Sequence, residues 1–410
     1  MNIWILNHYA LKPNEAGGTR HYDIAHELVK KGHRVRIIAS SFVHYTFRFR
    51  SNKKFFSEEV NGVLFDWIWT FPYNGNSIGR MINMITYCFV AIVVGGMRKE
   101  KPDAIVGSSV HLFACLAAYV LSRWKKATFV VEVRDLWPRT LIDMGAITEK
   151  SLLARLFFFI EAFVYKRADR IITLLPGAVD YIVSKGGTRE KTVYIPNGVA
   201  GTQALSQANN PLCQKLKEIR KKHKNIAMYA GAHGHANALE VVVESARLLS
   251  EEEVAYVFIG NGPEKEKLVR LASDIHHCYF FDPVPKASIA AVLSEADVLI
   301  VSMRKSPIYQ YGISLNKLFD YLLVGKPVLF AGEVYNDIVQ EAAAGITVPP
   351  EDAEQMAHGL RTLLQLEEQE KGRIKQRSTR YIEHYRIDKI ANRFLEACRA
   401  DVSREKRKRW

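Results

Sequence analysis

The sequence predicts an α/β protein of two Rossmann-like, doubly wound parallel-sheet domains that face each other across a cleft. Three observations predict it. Short apolar runs alternate with amphipathic helical segments along most of the 410 residues, the pattern of a parallel sheet covered by helices on both faces. The rhythm breaks once, at 196–211, "PNGVAGTQALSQANNP", where Gly, Pro, Asn, Gln and Ser dominate as they do in linkers. It then restarts, and a chain of this length with 48% hydrophobic residues is large enough to fill two cores.

The first half, 1–195, carries the strand-like runs "NIWILNH", "HRVRIIAS", "DAIVGSS", "ATFVVEVRD" and "RIITLLP", each followed by a helical pattern such as "RHYDIAHELVKKG". The second, 212–380, carries "NIAMYAGAHG", "YVFIGNGP", "HCYFFDPVP", "ADVLIVSM" and "KPVLFAG". Beyond it, 381–410, "RYIEHYRIDKIANRFLEACRA" reads as one long amphipathic helix packing back toward the first domain. The tail "SREKRKRW" is basic and expected to stay disordered.

Composition narrows the partners. A net charge of +14 favours polyanions: nucleic acid, acidic headgroups or phosphorylated substrates. No zinc-finger or RNA-recognition signature is present, which argues against nucleic acid. Cys88, Cys115, Cys213, Cys278 and Cys398 form no CxxC pair and read as reduced core thiols of a cytoplasmic protein. The start, "MNIWILNHYALKP", lacks the basic stretch of a signal peptide. The uncharged run 81–97, "MINMITYCFVAIVVGGM", is short for a membrane span and reads as a buried core helix, a helix lying on a membrane being the alternative.

In open parallel sheets, ligands gather at the carboxyl ends of strands. Gly17 and Gly18 sit there, before a helix whose first turn holds Arg20 and His21. Glu132, Arg134 and Asp135 cluster where a strand meets its loop, either as a structural ion pair or as a cleft-lining set. His111 ends the preceding strand and is open to the same two readings. In the second half, "AGAHGHANALE" offers His233, Gly234 and His235, and "IGNGPEKEKL" offers Asn261, Gly262 and Pro263 as a turn suited to a base or ribose. In "SLNKLFDYLLVGKPVLF" (314–330), Ser314 is the expected N-cap, and Asn316, Lys317 and Asp320 share one helix face. A helix start with an added lysine suits a diphosphate, and a carboxylate one turn on suits ribose hydroxyls. The bland alternative is a Lys317–Asp320 surface pair.

These segments together resemble glycosyltransferase family 4, with the GT-B fold. "GGTRHYDIAHELVKKGHRVRII" is similar to that family's N-terminal signature, "ADRIITLLPGAVDYIVSKG" with "VYIPNGV" to its interdomain region, and "GNGPEKEKL" and "SLNKLFDYLLVGKPVL" to its donor motifs. "EVRDLWPRTLIDMGA" resembles a subgroup similar to the N-acetyl-L-fucosamine transferases of O-antigen and capsule assembly. The resemblance implies a nucleotide-sugar donor in the second half, an acceptor in the first, and transfer with retention. It places the diphosphate at Leu315, Asn316 and Lys317, the ribose at Asp320, and Gly17 and Gly18 beside the donor, with His233, Gly234, Asn261, Gly262 and Pro263 completing the donor site. Arg20 and His111 are the acceptor-side candidates.

The chain departs from the family pattern in three places. Gly312 stands where the family has its first Glu, Arg134 with Asp135 where many members have the active-site His, and the usual basic pair after "AGAHG" is missing. Arg134, Asp135 and Lys305 are therefore the catalytic candidates, Arg304 and Lys305 standing in as stabilisers of the leaving diphosphate. No D-x-D motif occurs, so the expectation is metal-independent transfer with no cofactor beyond the donor, UDP-linked and carrying an N-acetylated amino sugar. The basic, aromatic stretches 48–56 and 151–167 suggest docking on the anionic inner face of the cytoplasmic membrane, and hence a lipid-linked acceptor. Two other functions fit the same frame: a nucleotide-sugar 2-epimerase and a non-catalytic basic membrane-surface module.

Overall fold

The computed structural model describes residues 1–15, 17–44, 46–75, 78–109, 111–199, 210–249 and 254–399. Most of the linker and the basic tail lie outside them. Sixteen strands are described: β1 (Asn2–Leu6), β2 (Arg34–Ser40), β3 (Phe42–Val43), β4 (Arg48–Phe49), β5 (Phe55–Val60), β6 (Val63–Ile68), β7 (Ala104–Ser108), β8 (Thr128–Val133), β9 (Arg170–Thr173), β10 (Thr192–Tyr194), β11 (Asn225–Ala230), β12 (Val254–Ile259), β13 (Cys278–Phe281), β14 (Val298–Ser302), β15 (Val328–Ala331) and β16 (Gly345–Val348). They form an eight-stranded sheet, β10-β9-β8-β7-β1-β2-β6-β5, and a six-stranded sheet, β13-β12-β11-β14-β15-β16, with β3 and β4 as a small ribbon. Every pair in the six-stranded sheet is parallel, and in the eight-stranded one only β5–β6 is antiparallel.

The central strands read as unbroken apolar runs because both faces of each sheet are covered. β7, β12 and β14 are buried from end to end. Each sheet accordingly has two cores, one per face. The sequence reading missed β3, β4, β5, β6, β10 and β16. β5 is an edge strand, "FFSEEV", that alternates exposed and half-buried residues and so lacks an apolar run. It joins β6 through Asn61 and Gly62, both at positive φ, a hairpin turn of Asn-Gly type.

Two expectations need correction. The run 81–97 lies in a helix, Ile78–Met97, that buries Met84, Tyr87, Cys88 and Ala91 against the first sheet but leaves Ile78, Ile82, Ile85, Phe89 and Val93 in the open. It is half a core helix, apolar all round. The segment 380–400 is two helices, Glu368–Ile382 and Ile387–Cys398, separated by a short turn and an extended Arg386. Only the last crosses over: Ile390, Phe394 and Cys398 pack with Ile3, Leu28 and Ile172 of the first domain. At the crossing Val199 and Tyr385–Ile387 pair through backbone hydrogen bonds of 3.0 and 2.9 Å, so the outgoing and returning chains run side by side.

The domains meet along the loop 304–315. Asn197 binds Ser314 twice, its N–H donating to the Ser314 hydroxyl at 2.9 Å and its side-chain amide to the Ser314 carbonyl. Ser314 is thus a domain clasp, and the helix Asn316–Val324 starts after Leu315 without a side-chain cap. Tyr181 and Tyr311 meet edge to face at 5.2 Å. Gly312, at φ +101, lies so close to Pro176 that a Cβ would stand 2.6 Å from its ring. No side chain fits there, so the family's first Glu has no counterpart at this position.

Two outcomes follow for unfolding experiments. Phe394→Ala should cost about 3–5 kcal/mol in urea denaturation, and a loss under about 1 kcal/mol would mean the last helix does not brace the first domain. Gly312→Glu should lower stability by at least about 2 kcal/mol through backbone strain and collision with Pro176; a thermal melt that stays in place or rises would contradict this packing.

Candidate active site

The carboxyl edges of both sheets open on one cleft. On the first-domain wall, the sharpest feature is a fully buried carboxylate, Glu132, at the end of β8. It accepts from Arg20 Nε at 2.9 Å, from the Ser108 hydroxyl at 2.9 Å and from His21 Nε2 at 2.5 Å. His21 Nδ1 lies 2.8 Å from the Asn7 amide, so the ring is a neutral tautomer with its proton on Nε2. Burial alone would raise the Glu132 carboxyl, but His21 and Arg20 overcome it and hold it well below the usual carboxylate range. Arg20 also donates to the backbone carbonyls of Ile195 and Pro196 at the domain junction. Arg20, expected on the acceptor side, is buried: three of its five N–H groups tie β8 to the domain junction, so its main role here is structural.

Arg134 and Asp135 come next along the same loop, with Leu136 and Trp137 buried behind them. The Arg134 guanidinium makes no hydrogen bond or ion pair with the described residues, and its backbone N–H is held by Ser109 at 3.2 Å. Asp135 is exposed, and the partial desolvation of its carboxyl by the surrounding loops raises it, opposed by neighbouring Arg134. Tyr309 of the facing loop feels the Asp135 charge, so this pair looks across at the second domain. His111 lies deeper. Its Nε2 is 2.6 Å from His8 Nδ1, and His8 stacks on Tyr9 and Tyr87 at 4.3 and 4.4 Å. Burial, with Arg80 nearby, lowers His111 to about 3, so the pair is neutral. His111 Nδ1 and the Tyr9 hydroxyl are buried with no hydrogen-bond partner among the described residues, and His8 neighbours Asn83. This cluster of buried, incompletely satisfied polar atoms lies just past the ends of β1 and β7.

The second-domain wall is the start of the helix Asn316–Val324 and the loops after β11 and β12. Lys317 Nζ donates to the Tyr229 hydroxyl at 2.8 Å and to Asn237 Oδ1 at 2.9 Å, and it lies 4.4 Å from the centre of the Tyr229 ring. No carboxylate balances it, and burial lowers its amine to about 7. The Lys317–Asp320 pair does not form. Asp320 is gripped by Lys286 at 2.5 and 2.6 Å, so a ribose there would share the carboxylate with that lysine. Asn316 faces Gly18 across the cleft, where a Cβ would stand 2.7 Å from its amide nitrogen, so a larger residue at 18 would have to displace the Asn316 side chain. Gly17 is at φ +132 beside Leu11.

Gly262 lies over the backbone of His233, and Asn261 accepts its N–H at 2.9 Å. The His233 ring is fully enclosed next to Tyr229 and Phe280, with both nitrogens unpartnered and burial lowering it to about 4. As a side chain it does not line the cleft; its backbone carries the Gly262 turn, and Gly234 follows on the open side. Arg304 is committed to Glu240 and Glu351, and Lys305, largely exposed, pairs with Glu333 at 3.1 Å. On this wall, Lys317 rather than Lys305 is the cation without an acidic partner among the described residues. Arg50, in the stretch expected to dock on a membrane, is likewise spent: it pairs with Glu15 and covers the Trp67 ring at 4.1 Å.

Comparison with known proteins follows the same two-part division. Residues 16–198 match a family model described as a glycosyl transferase 4-like domain, and 224–366 one described as glycosyl transferases group 1. A protein of Escherichia coli K12 named as a colanic acid biosynthesis glycosyl transferase, WcaI, is 22% identical over 83% of this chain and 86% of its own. Pseudomonas aeruginosa WbjE, named as a glycosyltransferase, is 22% identical over 77% and 80%. The structure of Anabaena HepE in complex with UDP and glucose superposes with a TM-score of 0.68 at 13% identity, covering 98% of this chain and all of that one. With its two facing parallel sheets and both halves matched, the chain is a glycosyltransferase of the GT-B fold, a glycosyl transferase 4-like domain joined to a glycosyl transferases group 1 domain.

Proposed function

We propose that this enzyme moves a sugar from a nucleoside-diphosphate donor, UDP-linked, to a lipid-linked acceptor in surface-polysaccharide assembly. Transfer goes with retention at the cytoplasmic face of the membrane, and the sugar is an N-acetylated amino sugar. The names of WcaI and WbjE and the UDP bound by HepE support this reading. The observation that carries it is Lys317: a desolvated ammonium without a counter-ion, at the first turn of a helix whose free N–H groups face the cleft. A diphosphate supplies the missing charge. As the glycosidic bond breaks, negative charge grows on the leaving diphosphate, and Lys317 with the helix N–H groups stabilises it there. Asp320 with Lys286 meets the ribose, Gly18 lets the first wall close over the phosphates, and Asn261 to Pro263 border the base.

On the acceptor side, Asp135 beside Arg134 stands where the incoming hydroxyl must lose its proton, and desolvation makes its carboxyl a better proton acceptor than an ordinary aspartate. No cofactor besides the donor enters this scheme.

Free Lys317 loses its proton near pH 7, and a neighbouring diphosphate raises that value. Binding therefore takes up a proton above that pH: affinity is greatest below about 7 and falls as pH rises through it, by up to about tenfold per unit. Calorimetry with UDP-N-acetylglucosamine, whose diphosphate diester has no proton to lose in this range, reads the trend directly. Lys317→Met should lower affinity about 10- to 100-fold and abolish the pH dependence. A pH-independent affinity in the parent, or an unchanged one in the variant, would place the diphosphate elsewhere.

A further inference from the structure

The first domain carries a surface that the transfer chemistry leaves unused. Three helices, Ile78–Met97, Leu112–Lys125 and Leu152–Arg167, lie side by side over one face of the eight-stranded sheet. Gly95 rests on Leu121 and Gly96 on Trp124, and Phe113 meets Phe157 at 6.1 Å, so they form one continuous layer. Its inner side is core. Its outer side is also apolar: Ile78, Ile82, Ile85, Phe89, Val93 and Met97 follow one another at steps of three and four, a single stripe along the whole first helix. Trp124 stands beside the end of that stripe, and Leu152, Leu156 and Phe159 line the third helix; Ile78 and Leu152 are each 82% exposed and Phe159 69%. Of the described helices, only Ile78–Met97 is long and apolar enough to cross a membrane, yet its other face is packed into the domain, so it lies along a surface rather than through one.

Charge identifies what covers this layer. The ionisable side chains of the three helices are Arg80, Arg123, Lys125, Arg155, Lys166, Arg167 and Glu161. The one acid, Glu161, is fully buried, bonded to the Tyr181 hydroxyl, and pushed up to about 8 by burial. Every ionisable group that reaches the outside of this layer is therefore cationic. The exposed acid just before the third helix, Glu149, is paired with Arg139 at 3.7 Å. A broad apolar surface whose own exposed charges, Arg123, Arg155, Lys166 and Arg167, are all cations matches the boundary of an anionic bilayer, where apolar side chains enter the acyl region and cations meet the headgroups.

We infer that the outer side of these three helices is a membrane-docking surface that seats the first domain on anionic lipid. The long helix and the aromatic residues Phe89, Trp124 and Phe159 insert into the outer part of one leaflet. Docking brings the acceptor wall to the membrane, so for the identity of the acceptor it rests on the function proposed above; the docking itself does not. In the stretch 48–56, Arg50 is engaged by Glu15 and Trp67 and is not available to lipid.

The test uses the full chain and no nucleotide. The chain should float with phosphatidylcholine vesicles containing one-third phosphatidylglycerol and not with phosphatidylcholine alone, and high salt should weaken the binding. Brominated lipids should quench its tryptophan fluorescence, and Trp124→Phe should remove most of that quenching. The exposed double substitution Ile82→Asp and Phe89→Asp should reduce vesicle-bound protein at least about tenfold while leaving circular dichroism and the affinity for UDP-N-acetylglucosamine unchanged. Flotation that the double variant retains would overturn the inference, as would failure of the parent to bind anionic vesicles at low salt. So would a parent dimer in sedimentation that the same substitutions dissolve, because a second copy would then cover the layer. Nucleotide affinity measured in solution fails or holds independently of every one of these results.

Discussion

Everything on the first-domain wall of the cleft hangs on one buried carboxylate. Glu132 ends the strand β8 inside the protein, where an ion is tolerated only if its lone pairs are filled and its charge is matched. Arg20, His21 and Ser108 fill the lone pairs, and the Arg20 guanidinium matches the charge. Arg20 and His21 come from the first helix and Ser108 from β7, so filling one carboxylate fixes that helix against two adjacent strands. Arg20 then reaches on to Ile195 and Pro196, where the chain leaves the domain. The geometry of the cleft, the placement of Arg134 and Asp135, and the angle of the hinge are consequences of satisfying that group.

The opposite wall is built on the contrary principle. Lys317 receives two neutral acceptors and no acid, and the helix start beside it lacks a side-chain cap. Ser314, the residue suited to that cap, is drawn away to Asn197 of the other domain. A protein folds at a loss when it desolvates a cation without pairing it, so such a site is costly unless a ligand completes it. The contrast between a charge fully answered and one left open separates scaffold from binding site more sharply than either sequence motif.

Much of the fold was legible because its strands are buried on both sides and read as apolar runs. β5 was not, since an edge strand needs no such run, although the Asn61–Gly62 turn was there to be noticed. The helix Ile78–Met97 showed its apolar character but not which half of it the core would use, because composition gives no polar face to orient it. At the site, the helix start with Asn316 and Lys317 was readable locally. Its completion was not: Tyr229 and Asn237 lie 88 and 80 residues from Lys317, His8 lies 103 from His111, and the Pro196 carbonyl lies 176 from Arg20. Arg20 looked like a ligand group for the same reason; a charged residue after a Gly-Gly loop reveals nothing of a carboxylate far down the chain. The exposed pairing of Lys305 with Glu333 is invisible in sequence too, which is why Lys305 reads there as a catalytic candidate.

The most direct test of the account is a crystal structure of the chain with UDP-N-acetylglucosamine. The account predicts a diphosphate oxygen within about 3 Å of Lys317 Nζ and of the first N–H groups of the helix Asn316–Val324. Nucleotide density elsewhere in the cleft, with Lys317 still bonded only to Tyr229 and Asn237, would contradict it.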